Sequence, residues 1–232
     1  LLYPEEDGVG RPIHTQQDRV GGSLGAGQTY GIDLMEDEAE LMHEIHDVCH
    51  AQGLPVDTLI KESAPSQYEI NLYHTNDAVI AADQAVMLQR VIRGVAKKHG
   101  LIATFMAKPF GDIAGNGMHV HCSLVDKDGN NMFDDGSAAG TPLLRQAIAG
   151  CLDMMADSML LFAPNLNSYR RFRRGTHAPM APTWGYENRT VAVRVPADSP
   201  AATRLEHRVA GADANPYLVM AGILAGMLHG IE

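Results

Sequence analysis

The chain has 232 residues, 45% of them apolar, three cysteines and a formal net charge of −10. That is enough apolar chain for a substantial buried core, and the acidic balance excludes a protein whose main task is to hold nucleic acid, which draws on surplus Lys and Arg. No apolar run reaches membrane-spanning length, and Leu1 to Asp7 contain no basic stretch followed by an apolar signal core, so a cytoplasmic protein with no membrane partner is the expectation.

The pattern along the chain predicts a long loop between Gly10 and Gly31, where Gly and Gln recur with little periodicity. A helix follows from about Asp37 to Gln52, with Leu41, Ile45 and Val48 on one face and Gly53 as its stop. Tyr68 to Leu72 alternates as a strand with one polar face. A second helix is predicted from Asp77 to His99, with Val79, Ala82, Val86, Val91 and Val95 near helical spacing. Further strands are expected at Ile102 to Met106, Met118 to Leu124, Thr190 to Val195 and Arg204 to Arg208, and further helices at Pro142 to Ala163 and Asn215 to Leu228. This is an α+β order, an antiparallel sheet with helices rather than regular βαβ alternation. Cys49, Cys122 and Cys151 lie too far apart for a CxxC pair, so buried reduced thiols are expected.

Three segments could carry chemistry. In Gly115-Asn116-Gly117-Met118-His119-Val120-His121-Cys122-Ser123 a glycine turn delivers a strand whose two histidines share a face, because side chains repeat every second residue. Such a pair serves as metal ligands or as strand histidines bonded to neighbours. Arg204, Glu206 and Arg208 also share a face, either as an ion-pair ladder or as a site where a carboxylate holds metal and guanidiniums hold oxyanions. Arg170-Arg171-Phe172-Arg173-Arg174, with Arg189 and Arg194, is dense in cations for an acidic protein, and a small polyanion such as a nucleotide suits it better than nucleic acid.

The segment Gly115 to Ser123 resembles the Gly-x-Gly-Met-His-x-His-x-Ser segment of glutamine synthetases. Glu62 to Glu69, Lys108-Pro109, Asn167 to Arg171, Asn188-Arg189, Arg194 to Pro196, Arg204 to Arg208 and Ala214 to Leu218 follow in that family's order. The resemblance implies the catalytic-domain fold of that family, a curved antiparallel sheet with flanking helices. It also implies ATP and Mg2+ or Mn2+ as cofactors, glutamate and an amine as substrates, and a ring-forming homo-oligomer when full length. Glu62 and Glu69 match ligands of one metal, His119 and Glu206 ligands of the other. Gly115, Arg171 and Arg208 match glutamate-binding positions, and His121, Ser123, Arg189, Arg194 and Arg204 match positions on or near ATP. Arg189, Arg208 and His177 match positions that act in catalysis. The strands at Tyr68, His119, Arg189 and Arg204 are then expected to form one concave surface lined by Glu62, Glu69, His119, Glu206 and Arg208.

Departures from the family pattern carry information too. The paired strand glutamates upstream of Glu62, the N-terminal β-grasp domain and the C-terminal helical tail have no counterpart, which implies a catalytic domain, residues 1–232, incomplete at both ends and lacking two metal ligands. Ala114 stands where bacterial members often have asparagine. His177 stands where the family's flap glutamate closes over the ammonium site, and Arg170 to Phe172 and Val209 to Tyr217 look most like the γ-glutamylputrescine synthetase branch. A neutral or cationic imidazole there attracts ammonium poorly, which points to an organic amine whose apolar stem Trp184 and Tyr186 could hold. The alternatives are an ordinary, ammonia-using glutamine synthetase and an inactive assembly module of the same fold.

Overall fold

The computed structural model describes residues 1–6, 12–14, 36 and 38–232. The expected loop between Gly10 and Gly31 lies outside the described residues apart from 12–14. The chain divides into two compact units, Leu1–Phe105 and Met106–Glu232.

In the first unit, β1 (Leu2–Glu6) pairs antiparallel with β2 (Pro12–His14). Helix α1 (Ala39–Ala51) runs to Gly53, whose φ of 72° reverses the chain at no steric cost. Strands β3 (Val56–Lys61) and β4 (Tyr68–Leu72) form an antiparallel hairpin, and α2 (Ala78–Lys98) follows. Asp77 starts α2 by accepting from the amides of Val79 (2.8 Å) and Ile80 (3.1 Å), which satisfies two of the free N–H groups every helix start leaves. Leu41, Met42, Ile45 and Cys49 of α1 bury against Leu88, Val91 and Val95 of α2, with Leu59 and Ile70 of the hairpin packed alongside. Val79 and Val86, expected on this face, are 62% and 40% exposed. At about 100° per residue both lie more than a quarter-turn round the helix from Val91.

One residue on the open side of α2 offers a clean test of helix propensity. Gly94 is exposed, and a Cβ there would meet nothing within 4 Å. Gly94→Ala is expected to stabilise the chain by about 0.5–1 kcal/mol, read as a shift in urea midpoint with unchanged slope.

The second unit is a four-stranded sheet with helices on one face. Its elements are β5 (Val120–Cys122), α3 (Pro142–Asp153), two short helices α4 (Met159–Phe162) and α5 (Leu166–Tyr169), β6 (Trp184–Tyr186), β7 (Val193–Val195), β8 (Leu205–His207) and α6 (Pro216–Ile231). The strand order is β5-β8-β7-β6, antiparallel except for the parallel pair β6–β7, so the sheet is mixed where an antiparallel one was expected. Val193, Val195 and Leu205 point from it into a core shared with Leu144 and Ile148 of α3 and Val219, Ile223 and Met227 of α6. Where these helices cross, Gly150 meets Gly226 and Gly230 backbone to backbone.

Several expectations change here. The predicted helix from Pro142 to Ala163 breaks after Asp153 and resumes only at Met159. The strands predicted at Met118, Thr190 and Arg204 each shorten to three residues, the one at Tyr68 keeps its predicted bounds, and Ile102 to Met106 forms no strand, Ile102 exchanging backbone bonds with Leu2 inside the first unit. Strand propensity without an edge to pair with produces no ladder. The strand at Tyr68 does not join this sheet; β4 pairs with β3 in a two-stranded sheet of the first unit, and Arg189 lies in the turn between β6 and β7.

The three cysteines are free thiols, Cys49 and Cys151 buried and Cys122 half-buried. Burial raises all three above the ordinary thiol value, Cys122 to about 11 and Cys151 to about 12.

Candidate active site

A row of polar residues crosses the face of the second-unit sheet that lies away from α3 and α6. Register pairs His121 with Glu206 and Glu206 with Arg194, and Gly185 follows on β6. Paired residues share a face, so imidazole, carboxylate and guanidinium stand side by side. His119 and Arg208, one alternation beyond the strands, extend the group.

Glu206 is its centre. The carboxylate is 3% exposed; Oε2 accepts from Arg194 Nη1 at 2.9 Å, and Oε1 accepts from Arg208 Nη1 and lies 3.2 Å from His119 Nδ1. Burial alone would raise this carboxyl; the His119 imidazole and the Arg208 guanidinium outweigh it and hold the group well below the usual carboxylate range. His121 lies 3.9 Å from Glu206 Oε1 and accepts from Arg204 Nε on its Nδ1 at 3.0 Å. Its pKa falls to about 4, through desolvation first and then Arg204, against the opposing pull of Glu206. It is therefore neutral near pH 7. The Nε atoms of Arg194 and Arg208 are buried without a hydrogen-bond partner.

The glycine turn delivers His119 for steric reasons. A Cβ at Gly115 would overlap the Ala107 carbonyl oxygen, and one at Gly117 would stand 2.7 Å from Arg171 Nη2 and 3.2 Å from His119 Nε2. The turn is bonded to the chain leaving β8 through Met118 N to Ala210 O at 2.9 Å. Arg171 braces the same segment: it is 4% exposed and donates to the carbonyls of Val209 (2.7 Å) and Arg208 (3.0 Å). Burial, then Arg208, lower its pKa to about 10.

Of the residues singled out in sequence, His119, His121, Arg194, Arg204, Glu206 and Arg208 thus form one network. Arg189 touches it through its carbonyl, which accepts from Arg208 Nη2 at 3.1 Å. Ser123 is exposed just beyond β5. His177 is exposed at a backbone φ of 54°, a left-handed conformation uncommon outside glycine. Trp184 and Tyr186 pair with Val193 and Val195, so they occupy the sheet face opposite Glu206.

Two acceptors in the network went unread in the sequence. Glu187 accepts from Arg194 Nη2 at 3.1 Å and from the Ala197 amide, and Asp198 accepts from Arg204 Nη1 at 3.0 Å. The Asp198-Ser199-Pro200 turn was a weak signal for the second. Glu187 sits at a φ of 51°, which no residue pattern announces.

In the first unit, the hairpin register pairs Ile60 with Glu69 and Lys61 with Tyr68, and Glu62 N bonds Gln67 O at 2.9 Å. By alternation Glu62 and Glu69 share one face of that hairpin.

As donors, His119 Nδ1 and Glu206 Oε1 suit a divalent cation: an imidazole and an ionised carboxylate within one ion's reach. Among the described residues no group of three or more His, Cys, Asp or Glu side chains is arranged to hold an ion. The surrounding guanidiniums suit phosphate oxygens. No described helix is long and apolar enough to cross a membrane.

The family model for the glutamine synthetase catalytic domain matches residues 5–232. Gamma-glutamylputrescine synthetase PuuA of Escherichia coli (strain K12) is 47% identical over 205 residues, covering 88% of this chain and 43% of that protein. Gamma-glutamylethanolamide synthetase GlnA4 of Streptomyces coelicolor is 38% identical over 192 residues, covering 83% of the chain and 41% of the relative. Glutamate–isopropylamine ligase of a Pseudomonas species is 35% identical over 209 residues, covering 89% and 45%. The solved structure of GmaS without ligand superposes with a TM-score of 0.80 at 33% identity, over 93% of this chain and 49% of that one. The chain spans less than half the length of the curated relatives it matches.

Proposed function

Because this chain belongs to the glutamine synthetase family, we propose that the full-length protein is an ATP-dependent ligase joining an organic amine to the γ-carboxylate of glutamate through γ-glutamyl phosphate. The observation that carries the ligase chemistry is Glu206, ionised and buried among His119, Arg194 and Arg208 on the open sheet face. In this reading Glu206 and His119 hold one divalent cation, Mg2+ or Mn2+, and Glu62 and Glu69 contribute to a second. Bound there, such ions neutralise phosphate charge and polarise the transferring phosphoryl group.

The chain's own residues supply the rest. Arg189, Arg194 and Arg204 take the nucleotide phosphates, with Arg194 oriented by Glu187 and Arg204 by Asp198. His121, neutral and bonded to Arg204, accepts or donates hydrogen bonds there without adding charge. Ser123 lies beside the nucleotide. Gly115, Arg171 and Arg208 form the glutamate end, where Arg171 acts chiefly by fixing the backbone from which Arg208 projects. A ring-built homo-oligomer working in the cytoplasm belongs to the same reading.

The acceptor is assigned from two supports. His177 occupies the flap position where a carboxylate would favour ammonium, and the relatives reported above are named for putrescine, ethanolamide and isopropylamine. With full-length protein, glutamate-dependent phosphate release is expected to show a higher kcat/KM for putrescine or another organic amine than for ammonia at matched concentrations. Ammonia ranking first would make ordinary glutamine synthetase the assignment, as for the Thermococcus kodakarensis glutamine synthetase that is 39% identical over 209 residues.

A further inference from the structure

Lys61 is the most completely buried charged side chain among the described residues, 1% exposed at the end of β3. Its Nζ donates to the carbonyls of Glu62 (2.6 Å) and Ala64 (2.7 Å) and lies 5.7 Å from the centre of the Tyr68 ring. Register puts Lys61 and Tyr68 on the hairpin face opposite Glu62 and Glu69. Lys61 therefore works from behind the loop that carries the Glu62 carboxylate.

That loop, residues 62–67, is short and unusually shaped. Ser66 adopts a φ of 54°, Ala64 N bonds the Gln67 side chain at 3.1 Å, and Ser63 N bonds Glu62 Oε2 at 3.2 Å. The Ala64 oxygen has a second donor in Gln67 N, 3.2 Å away. An ammonium carries three donors and no acceptor, so it can collect carbonyls that face one another across a tight turn. Burying a charge is expensive unless it is fully used in this way. A lysine maintained there without an ion pair as its main contact is best explained by the backbone it holds.

We infer that Lys61 is a positioning residue for Glu62: its buried ammonium gathers the carbonyls of Glu62 and Ala64 and so fixes where the Glu62 carboxylate stands. The inference rests on the proposed role of Glu62 as a metal ligand. Lys61 itself, on the opposite face, does not touch the ion; it acts as outer partners of metal ligands do, by orientation.

The test is Mn2+ titration of the full-length protein and its Lys61→Met, Lys61→Arg and Glu62→Gln variants, with thermal midpoints alongside. Lys61→Met keeps the apolar stem and removes the donors; it is expected to weaken Mn2+ binding about 10- to 100-fold, while Lys61→Arg, a donor of similar reach, recovers most of that loss. A purely structural lysine would lower the thermal midpoint and leave Mn2+ affinity unmoved below it. Should the methionine variant fail to fold, Lys61→Gln, with a shorter donor, is read by the same comparison. Wild-type Mn2+ affinity in the folded lysine variants beside weakened binding in Glu62→Gln overturns the inference and leaves the metal assignment standing. Unchanged affinity in Glu62→Gln as well removes Glu62 from the metal centre and the inference with it.

Discussion

Replacing Glu206 with glutamine is expected to destabilise this chain by about 3–5 kcal/mol and to abolish phosphate release by the full-length protein. Glutamine keeps the shape and loses the charge. It leaves Arg208, 6% exposed, with no counter-ion and Arg194, 13% exposed, with only the solvent-exposed Glu187. Their buried Nε atoms already lack hydrogen-bond partners, so what remains, Glu187 for Arg194 and the Arg189 carbonyl for Arg208, does not replace the buried charge. The contrast is Asp198→Asn, which breaks the Arg204 pair at an exposed position and should change stability little while weakening nucleotide binding. Urea unfolding measures the first effect, and nucleotide titration of full-length protein the second. A Glu206→Gln chain within about 1 kcal/mol of the parent would show that the guanidiniums are solvated well enough to do without the carboxylate, and the buried-network account would fail.

The second large effect lies far from the chemistry. A methyl group on Gly150 would stand 2.7 Å from the Gly230 Cα and closer still to the Gly226 carbonyl oxygen, and one on Gly230 would run into the Gln146 carbonyl. These obstacles are backbone atoms, which cannot turn aside as a flexible side chain does. Gly150→Ala is therefore expected to force α3 and α6 apart and cost about 3 kcal/mol or more, the upper end for overpacking, although alanine is the better helix former. The sign is opposite to that at Gly94, where the same substitution meets open space. Urea midpoints for the two variants decide the matter together. If both rise, the helices separate more cheaply than their contact suggests.

Much of this was legible in the sequence. The helices at Ala39, Ala78 and Pro216 lie within two residues of their predicted starts, because Asp77 and Asn215 are capping residues with apolar spacing behind them. His119 and His121 reach the same carboxylate as alternation predicts, and Arg204, Glu206 and Arg208 share their face. What escaped prediction depends on partners. Which face Trp184 and Tyr186 take is fixed by a parallel register with β7, and a chain read alone does not say to whom its edge will pair. Glu187 joins the network from a left-handed backbone, and Arg171 serves backbone carbonyls that only the folded chain brings near. The hairpin carrying Glu62 and Glu69 was read as part of the larger sheet because parity gives a face and says nothing of sheet membership.

The state of the three thiols has a practical consequence. Thiol reagents attack the thiolate, and Cys49, Cys122 and Cys151 are all held in the protonated form near neutral pH, two of them buried. Maleimide or iodoacetamide should therefore leave them largely untouched in the folded chain. A cysteine introduced at an exposed site, such as the position of Gly94 on the open side of α2, would react first. The natural chain can then serve as its own background for attaching a fluorophore or spin probe, with no cysteine removed from either core.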